Sequence, residues 1–155
     1  MAAIKSQGTE LYFVDAEGKL KKLTCPTGIT GINSGSKSQI NSTCLSDTVD
    51  EQFVGGLRSP GAVSIPYNVH RKDESHIALD ALDKSGDLTD FMVCLSDGTT
   101  APTLTSGAII APTGRTCVAF KAYISENTWD VAQNEIVKGN LSIQRSGEVT
   151  KHYPV

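Results

Sequence analysis

At 155 residues, with a net charge of −3 and 39% hydrophobic residues, the chain is long enough for one domain with its own core, but much of it must be loop, arm or solvated surface. Its 14 basic residues form no dense cluster, which disfavours a protein that binds nucleic acid by neutralising phosphates. The first residues lack the apolar segment of a signal peptide, and no window approaches the about 20 apolar residues of a membrane helix, so we expect synthesis in a cytosol.

The first predicted element is a β-hairpin. Residues 9–14 are rich in β-branched and aromatic side chains, residues 19–25 alternate polar and apolar positions, and Gly18 suits the turn between them. Residues 1–8, which precede the first strand, are small and polar. They predict an N-terminal arm.

A second, longer hairpin is predicted in the middle of the chain. Residues 26–38 are rich in Gly and Ser, which predicts a flexible connection. Two β-capable runs then flank an acidic turn within residues 39–57, and Gly55-Gly56 weakens the second run if it stands alone. This hairpin has few apolar anchors, so we expect another chain to order it.

An amphipathic strand and a helix follow. Residues 62–67 alternate as a half-buried strand, and Pro66 must lie at its end or on a sheet edge, because proline cannot donate a ladder hydrogen bond. Residues 70–84 have helical periodicity, and Gly86 suits a left-handed C-terminal cap. The predicted core stripe of this helix consists of Ile77, Ala78, Ala81 and Leu82.

The last part of the chain is again β-rich. Further strands are predicted at residues 89–95, 108–110, 116–125 and 135–145. We interpret residues 99–106 as a loop and residues 149–155 as a short C-terminal tail. The predicted fold is one domain over residues 1–155, mainly β: a β-sandwich or open barrel of two packed sheets, with one flanking α-helix and the long hairpin.

No residue pattern indicates catalysis, a cofactor or a metal. The four cysteines are far apart and form no CxxC pair, which predicts reduced, half-buried strand residues: Cys25, Cys44, Cys94 and Cys117. His70 and His76 are six residues apart and do not share a helical face, so we expect surface histidines. Lys19, Lys21 and Lys22 alternate with leucines and fit a solvated strand face better than a DNA-binding patch. No GxSxG elbow and no phosphate-binding glycine loop occurs, and we predict a non-enzyme.

Three segments in order resemble phage tail tube proteins. They are Ile40-Asn41-Ser42-Thr43-Cys44-Leu45-Ser46-Asp47, Glu51-Gln52-Phe53-Val54-Gly55-Gly56-Leu57, and Pro60-Gly61-Ala62-Val63-Ser64-Ile65-Pro66-Tyr67. The early Gly8-Thr9-Glu10-Leu11 is similar to the opening of the first strand in that family. The similarity extends in order from Gly8 to about Arg145.

The resemblance implies a structural subunit of the virion tail. Such subunits form hexameric rings, and the rings stack into a tube around a tape measure protein. The implied partners are other copies of the chain, the tape measure protein, the tail terminator and the tail tip or baseplate proteins. DNA later passes through the lumen without specific binding.

The long hairpin is the predicted assembly site. A Gly- and Ser-rich hairpin gains hydrogen-bond partners when it joins the sheet edge of a neighbour. The predicted contact residues are Gln39, Ile40, Asn41, Cys44, Leu45, Phe53, Val54 and Leu57. The acidic turn residues are predicted to face the lumen or a ring junction, or to form an ordinary solvated turn: Asp47, Asp50 and Glu51.

Two other functions fit the same fold class. One is a tube protein of the type VI secretion kind, which also forms hexameric rings. The other is a small non-enzymatic β-sandwich that binds a partner or decorates a capsid. A carbohydrate-binding module would need exposed aromatic platforms, and Trp129 is the only tryptophan.

Overall fold

The computed structural model describes residues 2–154, which form ten β-strands and one α-helix. The elements are β1 (Glu10–Val14), β2 (Leu20–Lys22), β3 (Lys37–Asn41), β4 (Phe53–Arg58), β5 (Ala62–Asn68), α1 (Glu74–Ser85), β6 (Thr89–Cys94), β7 (Thr103–Thr105), β8 (Ala108–Ile110), β9 (Cys117–Asp130) and β10 (Lys138–His152). Within this range no helix has the length and apolar character that a membrane crossing needs. The predicted fold class, mainly β with packed sheets and one helix, is confirmed.

One antiparallel sheet forms the body of the subunit. Its six strands lie in the order β2-β1-β6-β9-β10-β5, and β9 and β10 are its longest members at 14 and 15 residues. The register between these two strands shifts after Ser142 and again after Ser146. Such irregularities bend a strand and increase its twist, which lets the sheet curl around a core. The pairs β3-β4 and β7-β8 form two small separate sheets.

The core lies on the inner face of the curled sheet. Side chains alternate between the two faces of a strand, so Leu11 and Phe13 point to the core while Tyr12 points away from it. Helix α1 packs on this face through Leu79 and Leu82. A second, smaller cluster on the outer face is covered by the β7-β8 sheet and contains Tyr12, Met92, Cys94 and Cys117.

Edge strand β5 is flanked by the segment that precedes the long hairpin. Pro66 lies on this edge strand, as predicted. Thr30 and Ser64 exchange two backbone hydrogen bonds of 2.9 Å. The prediction of a flexible connection over residues 26–38 is therefore wrong for its first part, because two isoleucines anchor it to the core: Ile29 and Ile32.

Helix α1 begins later than the sequence predicts. The predicted span was 70–84, whereas the helix runs Glu74–Ser85. Asp73 is the N-cap, and its carboxylate accepts from the backbone N–H groups of Ser75 and His76 at 3.0 and 3.4 Å. At the other end Gly86 has φ 69° and its N–H donates to Leu82 O, so the predicted cap is confirmed.

The predicted core stripe of α1 is wrong in part. Leu82 is buried and Ala78 packs against the core, but Ile77 is 61% exposed and Ala81 is also exposed. The buried face consists of Ser75, His76, Leu79 and Leu82. This face is rotated by roughly a third of a turn from the predicted one. Polar contacts to the strand region set the rotation: Thr24 N donates to Ser75 Oγ at 3.1 Å, and His76 Nε2 lies 3.0 Å from Thr24 O.

Two boundaries in the last part of the chain also differ from prediction. Residues 99–106 contain strand β7 rather than only a loop, because Leu104 pairs with Ile109 in a short hairpin. Strand β10 continues to His152, so three residues of the predicted tail 149–155 pair with β9, and Val155 lies outside the described residues. Gly147, with φ 83°, lies where the register shifts and lets β10 resume after the irregularity.

Candidate assembly surface

The β3-β4 hairpin has no buried apolar side. All five residues of β3 are exposed, and in β4 only Gly56 is partly covered. Its large apolar side chains are nevertheless numerous: Leu57 is 88% exposed and Leu45 is completely exposed. Three others are about half exposed: Ile40, Phe53 and Val54. An exposed set of this kind on one element is a typical protein interface.

The backbone of this hairpin is also open to further pairing. Ile40 lies opposite Val54 and Asn41 opposite Phe53, and the register shifts near the root between Lys37 and Gln39. The sheet has only these two strands among the described residues, so each strand presents one unpaired edge. Isolated two-stranded sheets are marginally stable in water, and unpaired edges accept strands from other chains.

The loop at the tip of the hairpin, residues 42–52, is held by side-chain hydrogen bonds. Asp47 Oδ2 accepts from Cys44 N at 2.8 Å, and Gln52 N donates to Thr43 Oγ1 at 2.8 Å. Asp47 is therefore occupied within its own loop. Asp50 and Glu51 are exposed, and within residues 2–154 neither forms a side-chain hydrogen bond or ion pair.

The root of the hairpin is tied to the body. Ser59 N donates to Ser36 O at 3.1 Å and Gly61 N to Ser34 O at 3.2 Å. The guanidinium of the buried Arg145 in β10 also donates to Ser34 O. The hairpin is thus fixed where it leaves the sheet and exposed beyond that point.

The described part of the predicted N-terminal arm, residues 2–8, leaves the body next to a buried arginine, and Met1 lies outside the described residues. Arg115 is 1% exposed and donates to Leu95 O at 2.6 Å, to Gly8 O at 3.1 Å and to Glu10 Oε1 at 2.9 Å. Burial raises the pKa of the Glu10 carboxyl, but hydrogen bonds from Lys22 and Arg115 outweigh it, and the pKa is lowered on balance. The sequence did not single out Arg115. The local sequence around Arg115 does not indicate that it is buried, because its hydrogen-bond partners come from distant segments of the chain.

The lysines on β2 are neutralised by carboxylates. Lys21 Nζ lies 3.4 Å from Glu74 Oε2, and Lys22 pairs with Glu10. This geometry agrees with the solvated strand face and leaves little free charge for a phosphate backbone. In the part of the chain that the structure describes, no cluster of histidine, cysteine or carboxylate side chains fits a metal ion.

The cysteines and one of the two histidines near α1 differ from the expected half-buried and surface positions. Cys25 and Cys44 are exposed, while Cys94 and Cys117 are fully buried with their Sγ atoms 3.0 Å apart. Burial raises the pKa of the Cys94 thiol, and the Cys117 thiol adds to the effect. The prediction of a surface histidine is wrong for His76, because its ring packs 4.8 Å from the ring of Tyr67 and it is 7% exposed.

Comparison with known proteins gives a family and a close relative. A family model described as "Phage tail tube, TTP, lambda-like" matches residues 2–154. The chain is 36% identical over 151 residues to "Structural protein 3" of Pseudomonas phage PAJU2, an alignment that covers 94% of this chain and 91% of the phage protein.

Solved structures with the same fold come from tails and injection systems. The tail of an empty GTA particle, with C6 symmetry, superposes with a TM-score of 0.70 at 12% identity, covering 97% of this chain and 100% of that chain. The SPP1 tail tube gives 0.66 at 13% identity, covering 99% and 81%. The PVC sheath/tube terminator of an extracellular contractile injection system gives 0.70 at 11% identity, covering 99% of each. At these identities the likeness establishes the fold.

Proposed function

We propose a mode of assembly from one premise: the chain belongs to the lambda-like phage tail tube protein family, whose model matches residues 2–154. It is a structural subunit of a phage tail tube, located in the virion tail, and not an enzyme. This membership decides against the secretion-tube and binding-module alternatives.

The proposed assembly is a hexameric ring, with rings stacked head to tail into a tube. The main support for this proposal is the β3-β4 hairpin. It is exposed on both faces and carries the exposed apolar side chains of Leu57 and Leu45. Within residues 2–154, the outer edge of each of its two strands is unpaired. Contacts between identical subunits through different surfaces close into rings or extend as filaments. The C6 symmetry of the GTA tail, which has the same fold, supports the ring order of six.

The predicted contact residues take specific roles in this assembly. Ile40, Phe53 and Val54 supply apolar area to a neighbouring subunit, and Gln39 and Asn41 offer backbone groups to its sheet edge. Leu45 and Cys44 lie in the exposed tip loop. The N-terminal arm, residues 2–8 of the described chain, adds a second contact from the point that Arg115 fixes.

The lumen is proposed to carry DNA without binding it. The net charge of −3 and the pairing of Lys21 and Lys22 with carboxylates support a lumen that does not retain a phosphate backbone. The partners are proposed to be a tape measure protein inside the tube, a terminator at one end and tip or baseplate proteins at the other. The shared fold of the PVC sheath/tube terminator and of a chain in the AFP baseplate supports contacts between subunits of one fold at the tube ends.

Removal of the hairpin tests the proposal. Residues 41–53 are replaced by an Asn-Gly turn, which closes the chain between the cross-strand partners Ile40 and Val54. We expect a folded monomer and no tubes, because the replaced residues contribute nothing to the core. Far-UV circular dichroism and size-exclusion chromatography report the monomer, and negative-stain electron microscopy reports the tubes.

A matched variant controls for the new turn. Ser106→Asn places the same Asn-Gly dipeptide in the β7-β8 hairpin, where Ser106 and Gly107 already have φ of 52° and 80°. This variant is expected to form tubes at the wild-type concentration. Normal tubes from the shortened hairpin, or a wild-type chain that stays monomeric at every concentration, would contradict the proposed assembly.

A further inference from the structure

A polar cleft opens at the root of the long hairpin. It has a volume of about 390 Å³ and lies between the end of β4 and the bend of β10. The side chains that matter for its chemistry are Asn33, Arg58, Pro60, Arg145, Glu148 and Val149. Two of these are guanidinium groups and one is a carboxylate, so the cleft is positive on balance.

Among the described residues, no counter-charge pairs with Arg145, which is buried in this cleft. It is 3% exposed, and its two terminal nitrogens donate only to the carbonyl oxygens of Ser34 and Gly147. Its Nε is buried and has no hydrogen-bond partner within residues 2–154, and none of the ion pairs in that range includes it. A buried guanidinium without an anion is costly, so an arriving carboxylate would be strongly favoured.

Arg58 stands at the open side of the same cleft. It is exposed, donates to Gly35 O at 3.1 Å and is in none of the ion pairs of the described chain. Its cross-strand neighbour in the hairpin is Lys37, which adds a second exposed positive charge. Guanidinium groups bind carboxylates through paired, charge-assisted hydrogen bonds.

We propose that this cleft receives the acidic tip of the long hairpin from a second copy of the chain. Asp50 and Glu51 supply the carboxylates, since both are exposed and unpaired within residues 2–154, whereas Asp47 is engaged by Cys44 N. Val49, which is 88% exposed, lies beside them and matches the apolar part of the cleft at Val149.

The tip cannot reach the cleft of its own subunit. Strand β3 has five residues, so the tip is separated from the root by about 17 Å of extended ladder, at about 3.4 Å per residue. The contact must therefore join two subunits, the tip of one to the root of the next. It rests on the proposed self-assembly and specifies which two surfaces meet.

Opposite charge reversals test the contact. Arg58→Glu makes root and tip both acidic, while Asp50→Lys combined with Glu51→Lys makes both basic. Alone, each variant is expected to raise the critical concentration for tubes by on the order of tenfold or more, because reversing one partner of a charge pair replaces attraction with repulsion. An equimolar mixture restores assembly, because each tip then meets a root of opposite charge, and the tubes contain both variants.

Matched surface variants and a direct binding measurement complete the test. Arg71→Glu and Asp87→Lys change charge at exposed positions outside the cleft and are expected to assemble like the wild type. Amide chemical shifts of the monomer are followed on titration with a peptide of residues 43–52. The peptide is expected to change the amide chemical shifts of residues 33, 58 and 145–149 in the wild-type monomer. The same titration of the Arg58→Glu monomer is expected to produce no such changes.

The outcomes are separable from the proposed assembly itself. If the wild type forms tubes and the mixed variants do not, the tip and the cleft do not meet, although tube assembly stands. If the wild type forms no tubes, the assembly proposal fails while the peptide titration still decides the contact. If inorganic phosphate or a short DNA strand shifts the cleft amides and the peptide does not, the cleft binds phosphate and the inference is overturned.

Discussion

The body sheet and the long hairpin contain similar apolar residues, but the sheet buries them and the hairpin exposes them. Strand β5 of the body buries every second residue, whereas β3 and β4 bury none. Val63 and Ile65 are completely buried, while Val54 and Ile40 of the hairpin are about half exposed. An apolar strand in this subunit is therefore a core element only where the subunit itself supplies the opposite surface. In the hairpin that surface belongs to another molecule.

The largest expected difference comes from an aspartate placed in each region. Leu82→Asp puts a charge into the core at a position that is 2% exposed, and we expect a loss of about 4 kcal/mol or more in the free energy of unfolding. Leu57→Asp, at 88% exposure, is expected to change it by less than about 0.5 kcal/mol and to impair tube assembly. Urea unfolding of dilute monomers measures both. Equal losses would erase the distinction between the regions.

Alanine at two glycines sharpens the comparison. A Cβ at Gly139 in β10 would lie 2.3 Å from the ring of Tyr67, which is buried and held by a 2.8 Å hydrogen bond to Asn127. We expect Gly139→Ala to cost about 1–3 kcal/mol through this overlap. At Gly55 of the hairpin the nearest atom is 3.8 Å away, and Gly55→Ala is expected to leave the thermal midpoint within about 2 °C. If the thermal midpoint fell equally in both variants, Gly139 would not be more tightly packed than Gly55, and the comparison would fail.

The smallest of these effects concerns the helix cap on the body. Burial raises the pKa of Asp73, but hydrogen bonds from Ser75, Thr24 and His76 N–H outweigh it and hold the pKa at about 2, below the ordinary 3.8. Because the folded-state pKa is depressed, this stabilisation is complete above pH 3.8 and is lost as the pH falls through 2. Asp73→Ala is expected to cost about 1 kcal/mol at pH 7 and to make less difference at pH 2. Unfolding curves at both pH values measure this difference. If Asp73→Ala lowered the free energy of unfolding equally at pH 7 and pH 2, the ionised carboxylate of Asp73 would not stabilise the helix.

The parts of this fold that were predictable are those coded by neighbours in the sequence. The alternation of β5, the edge position of Pro66 and the cap at Gly86 depend on local geometry. The exposed face of α1 was not predictable, because Ser75 and His76 turn the helix through contacts with Thr24, which is about 50 residues away.

The same limit applies to the candidate site. The acidic turn and the apolar residues of the hairpin are visible in the sequence, so the surface as a whole could be proposed. The buried Arg145 and the cleft around it could not, because they bring together the hairpin root and the bend of β10, which lie far apart in the chain. The position of Arg115 at the start of the arm was missed for the same reason.

The length of β9 and β10 has a mechanical consequence. A strand of 15 residues has a length along the chain of about 50 Å at about 3.4 Å per residue, and β9 accompanies β10 for most of it. Ladder hydrogen bonds lie perpendicular to the strands, so a force applied parallel to β9 and β10 loads many of these bonds in shear at once. A pull on the edge strand β2 at right angles to its axis opens a three-residue pairing, one bond after another. The subunit is therefore stiff in one direction and peels easily in another.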